Sequence, residues 1–170
     1  MRKIKRLHNL KISVYMLVVF CCFLTAALPV RAEAKTGICG ENLTWSLNEG
    51  TLAISGYGEM TDYADGALAP WIGLAADIRV IQLSAGMTSI GDYAFYNCKN
   101  VESISIPPNV IKIGECSFAK CHNLRELQFS KGLENIEDGA FQECESLTVL
   151  EFPETLTTIG EKAFFKCSSV

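Results

Sequence analysis

Histidine is almost absent from this chain, and with it most of the usual acid–base chemistry. Of the two histidines, only His122 lies beyond the first 34 residues. No His-Glu-x-x-His, Gly-x-Ser-x-Gly or phosphate-binding glycine loop occurs, and no closely spaced cysteine pairs of the zinc type. Basic residues are scarce too. From Lys35 onward, 9 Lys and Arg face 18 Asp and Glu, a balance of −9. Such a body repels nucleic acid and anionic lipid, and no basic patch interrupts it. The expectation is neither an enzyme nor a nucleic-acid binder, with no cofactor and no metal. Long apolar runs are also missing, with one exception.

That exception is Ile12–Leu28, seventeen residues without a charge, preceded by Arg2, Lys3, Lys5, Arg6 and Lys11. Pro29 breaks the run, and Ala32-Glu33-Ala34 places small residues in cleavage order before Lys35. This reads as an export signal over 1–34, the chain's one contact with a membrane. Over 35–77, Leu43–Leu47 and Thr51–Ser55 alternate apolar and polar residues around Asn48-Glu49-Gly50, the pattern of a β-hairpin. Leu52-x-Ile54 and Ala69-Pro70-Trp71 resemble parts of one stretched repeat, so the region reads as an N-terminal cap.

What the chain has in abundance is a period of 23. Phe95, Phe118, Phe141 and Phe164 obey it, as do Cys98, Cys121, Cys144 and Cys167, and Ile90, Ile113, Ile136 and Ile159. Four units follow, 78–100, 101–123, 124–146 and 147–169. Unit positions 1, 4, 6, 10, 13, 17, 18 and 21 are apolar or cysteine in every unit, with Ser117 the one exception. A fixed period of this length marks a solenoid in which each unit packs on its neighbours. Positions 1–6 read as a short strand with 4 and 6 inward, and strands of all four units are expected to pair in parallel. Gly91, Gly114 and Gly160 at position 14 are expected to turn the chain with positive φ.

The spacing L-x-x-I-x-I-P-x-x-V-x-x-I-G-x-x-A-F-x-x-C-x-x-L resembles the bacterial surface leucine-rich repeats of the BspA type over 78–169. The segment CGENLTWSLNEGTLAISGYGEM is similar to what precedes such repeats. The resemblance implies a leucine-rich repeat solenoid, a β-rich α/β fold with short parallel strands in a curved sheet. It also implies adhesion at host or neighbouring cell surfaces. One departure is visible: the Asn or Cys expected at position 9 occurs only as Asn109, so an asparagine ladder is not expected.

By strand parity the outward residues are Val80, Gln82, Ser103, Ser105, Glu126, Gln128, Val149 and Glu151. They form a polar, mildly acidic candidate face for a protein or glycan ligand. The function expected is a secreted or cell-surface bacterial binding module. The alternative is a spacer or targeting arm for a catalytic domain beyond residue 170, since the last unit would expose Leu150, Phe152, Ile159 and Phe164 if nothing followed. The four periodic cysteines read as stacked apolar fillers rather than disulfides or ligands. Cys39 and Cys116 have no place in the pattern. His122 beside Cys121 reads as a surface residue of a turn.

Overall fold

The computed structural model describes residues 34–64 and 68–168. The expected export segment therefore lies outside the described residues, apart from Ala34. The N-terminal part is a meander of strands β1 (Lys35–Ile38), β2 (Leu43–Asn48) and β3 (Thr51–Gly58). Strands β2 and β3 form the expected hairpin, with Asn48 opposite Thr51. Glu49 (φ 49°) and Gly50 (φ 82°) fill its two-residue loop, both left-handed as a tight hairpin of matching twist requires. Strand β1 pairs antiparallel with β2, an addition that the alternating pattern did not show. Strand β3 also pairs in parallel with β4 (Val80–Gln82), setting Leu52 opposite Ile81.

The coils 101–123 and 124–146 each present two short stretches of strand; the coil 78–100 adds a third, β5 (Gly86–Met87), and the coil 147–169 keeps one. On the first side lie β4, β7 (Ser103–Ser105) and β9 (Glu126–Gln128). Positions 3 and 5 of each point to solvent and position 4 is buried, as parity requires. The expected continuous four-strand ladder is broken, however. Strand β7 pairs with β9 alone, β4 pairs with β3, and residues 149–151 form no strand. The uninterrupted sheet is on the second side, from β6 (Ser89–Ile90) through β8 (Lys112–Ile113) and β10 (Asn135–Ile136) to β11 (Thr158–Ile159). Its pairs are separated by 23 residues throughout. No α-helix occurs among the described residues, so the α/β expectation is corrected: the return path is built of turns.

Those turns revise the glycine argument. Gly91, Gly114 and Gly160 do not have positive φ. They are glycines because consecutive coils touch there. A β-carbon on Gly114 would stand 2.6 Å from the Asp92 backbone nitrogen, and one on Gly91 would run into the Thr61 carbonyl. The left-handed residues sit further on, at positions 16 and 20: Tyr93, Cys116, Gly139 and Lys162, then Asn97, Lys120, Glu143 and Lys166. The alternation directs every second N–H at the next coil. Phe95, Phe118 and Phe141 donate to the carbonyls of Ser117, Ala140 and Ala163 at 2.7–2.8 Å. Asn97, Lys120 and Glu143 donate in the same way to Ala119, Gln142 and Phe165 at 2.8 Å. These cross-coil bonds satisfy donors that would otherwise be orphaned near the core and offset the strain of the left-handed residues.

Side-chain ladders reinforce the stack. Asp92 and Asp138 accept from the N–H of Glu115 and Glu161 one coil on, at 2.8 and 2.6 Å, and Asp62 does the same for Asp92. At position 9, Asn109 donates to the Ala85 carbonyl and Thr155 to that of Lys131, so no asparagine ladder forms.

The core is a pair of columns. Trp71, Phe95, Phe118, Phe141 and Phe164 stack in succession, with centroids 5.2–5.9 Å apart and interplanar angles of 2–24°. Phe95, Phe118 and Phe141 are fully buried. Each such ring contributes about 1.5–3 kcal/mol through burial alone. Trp71 anchors the column's first end: its indole N–H donates to the Ala94 carbonyl at 2.8 Å, and Trp45 of the hairpin meets it edge-on. Beside the rings runs the thiol column. Cys121, Cys144 and Cys167 each donate S–H to the carbonyl of a phenylalanine in the preceding coil, at 3.2–3.3 Å. All six described cysteines are free.

Candidate binding face

Strands β7 and β9 and the segment that follows them on the first side carry a broad groove. Its volume is about 710 Å³. Ser103, Ser105, Glu126, Gln128, Val149 and Glu151 all line it. Val80 and Gln82, on β4, are exposed on the same side but do not reach it. Six of the eight outward residues thus converge on one hollow and two stand apart. The ladder break between β4 and β7 falls between these two sets.

Parity alone did not find the rest of the lining. Arg125 and Thr148 enter from position 2, Phe129 and Phe152 from position 6, and Lys131 from position 8. Their exposure at strand ends has no period-2 signature, so an alternation argument passes over them. They change the electrostatics: Arg125 and Lys131 balance Glu126 and Glu151, and the groove is charge-balanced rather than mildly acidic. Among the described residues none of these four side chains makes an ion pair. Ser105 donates to the side-chain Oε1 of Gln128 at 3.2 Å. The apolar part is Val149, 62% exposed, and Phe152, 44% exposed and stacked on Phe129 at 5.5 Å. This arrangement can bind by charge, amide hydrogen bonds and apolar contact together.

Other reactive groups are locked away. Cys121 is buried and its thiol is pushed well above the ordinary range by burial, so it holds its proton next to His122. Cys98 and Cys144 are pushed up to about 12, again by burial. Cys39 packs under the hairpin, where burial pushes it to about 11. Cys116 is half-buried at a left-handed position beside Tyr93 and Glu115, and burial raises its thiol as well. Among the described residues no group of three or more His, Cys, Asp or Glu side chains is placed to hold a metal.

Residues 75–170 match the family model of the BspA-type leucine-rich repeat region (6 copies), more than half of the chain. The chain belongs to this family. Solved leucine-rich repeat proteins resemble it as well. It is 27% identical to a leucine-rich repeat protein from Eubacterium ventriosum, with a TM-score of 0.69 over 79% of this chain and 36% of that one. A leucine-rich repeat protein from Bacteroides ovatus shares the fold at 23% identity, TM-score 0.57, over 78% of this chain and 39% of that one. The chain therefore spans well under half the length of both solved proteins. No curated protein matches it.

Proposed function

We propose that this chain is a secreted or cell-surface adhesion module that binds a protein or glycan through the groove between β7 and residue 153. In this reading 1–34 is the export segment and the hairpin region 35–77 caps the stack. The coils 78–100, 101–123, 124–146 and 147–169 then carry the binding face. One observation supports the reading above all. The groove gathers exposed side chains of both charges that make no ion pair among the described residues. A surface with only a structural role has no need of unpaired charges around exposed Val149 and Phe152. Membership of a bacterial leucine-rich repeat family supports the surface setting.

The test is adhesion of the full chain to immobilised host-surface proteins and glycans. The E126A/E151A double variant should lose at least about tenfold in affinity for any ligand of this groove. Glu137→Ala, on the second-sheet side, should leave it unchanged. Equal binding by all three proteins removes the groove from the proposal.

A further inference from the structure

We infer that the groove's occupant is a polypeptide segment that lays one Lys or Arg side chain across Val149, its head between Glu126 and Glu151. The inference rests on the groove being the binding face. It adds what the ligand must carry there.

Register sets out the geometry. Glu126 and Val149 hold position 3 of successive coils, and Glu151 is two residues beyond Val149. Val149 is therefore the corner of an L whose two arms end in carboxylates. Glu126 and Glu151 both line the groove together with Val149. One ammonium or guanidinium lodged in the groove can meet both carboxylates. The floor of the corner is the exposed isopropyl group of Val149, with the half-exposed Phe152 ring beside it. A neutral polar ligand leaves both carboxylates unpaired, and a purely apolar one desolvates them at a cost. A long basic side chain satisfies each part, with its aliphatic stem on the apolar floor and its charge at the rim.

The surroundings restrict the ligand further. Arg125 and Lys131 flank β9 at either end, six residues apart along the chain, and both line the groove. They repel a run of basic residues, so the segment carries a single basic side chain with neutral or acidic flanks. The balance of −9 over residues 35–170 steers such a segment towards the molecule at long range.

The test is a nitrogen-15 NMR titration of the full chain with three probes: acetyl-Ser-Ser-Lys-Ser-Ser-amide, the same peptide with norleucine replacing lysine, and a neutral N-acetylglucosamine tetramer. The expected result is lysine-peptide shifts confined to the amides of Glu126, Gln128, Val149 and Glu151. Binding should be about tenfold weaker with norleucine and should vanish in E126Q/E151Q, whose unchanged spectrum elsewhere reports an intact fold. Equal binding of the lysine and norleucine peptides overturns the inference. Groove shifts with the sugar alone overturn it too, but leave the groove a binding face. If no probe shifts these amides, the inference fails; the adhesion assay with E126A/E151A then decides the broader reading separately.

Discussion

The two sides of each coil follow different rules. On the second-sheet and turn side the same residues recur at the same height: isoleucine at position 13, phenylalanine at 18, cysteine at 21. There the backbone bonds run unbroken from coil to coil. On the first side the ladder breaks twice, and no two coils carry the same outward pair. Identity is demanded where a side chain must fit beneath its own copy, because a stack at 5.2 Å spacing tolerates no change of shape. Variation is allowed where side chains meet only water or a ligand. The solenoid thus separates the surface that holds it together from one whose outward side chains are exposed.

The largest effect should come from the column. Phe118→Ala removes a fully buried ring sandwiched between Phe95 and Phe141 and should cost about 3–5 kcal/mol in urea unfolding. Phe152→Ala, on the groove and 44% exposed, should cost about 1 kcal/mol. Comparable losses at the two positions would erase the distinction between the sides.

The thiol column predicts a pH dependence. Well below pH 9, where an ordinary thiol is half ionised, Cys98 and Cys144 are protonated in both folded and unfolded chains, and stability does not depend on their ionisation. Above it the unfolded thiols lose their protons while the folded ones keep them to about 12. Stability should then fall by up to about 1.4 kcal/mol per pH unit for each thiol. Denaturant titrations at increasing pH should show this slope, and Cys98→Ala should make it shallower. An unchanged slope would mean that the column thiols ionise freely when folded.

Glycine at position 14 offers a sharper comparison with the left-handed position 16. Gly114→Ala drives a methyl group against the Asp92 backbone and should cost about 1–3 kcal/mol. Lys162→Gly, at φ 56°, relieves a left-handed residue and should leave stability unchanged or raise it by up to about 1 kcal/mol. The smallest effect belongs to the groove: Glu151→Gln should shift stability by less than about 0.5 kcal/mol, which thermal unfolding can check.

Much of this was legible in the chain. The 23-residue period placed the phenylalanine and cysteine columns, and parity placed the outward strand residues. Asn48-Glu49-Gly50 placed the hairpin turn. The second sheet was not legible, because strands of two residues, such as Lys112–Ile113, are too short to show alternation. The left-handed positions were hidden because Tyr93, Asn97, Cys116 and Lys120 occupy them instead of glycine. Cross-coil hydrogen bonds impose those conformations, and no local propensity announces them. Strand β1 was missed because Lys-Thr-Gly-Ile carries no alternating pattern of its own. Of the groove, parity found the six outward residues but neither of the flanking cations, Arg125 and Lys131.

Amide hydrogen exchange measures the difference between the two sides most directly. The N–H groups of Phe118, Lys120 and Phe141, which bond across coils, should exchange only through global unfolding. Those of Val149 and Glu151, outside any strand, should exchange orders of magnitude faster. Equal protection of the two sets would contradict the account, because the first side would then be as continuous as the second.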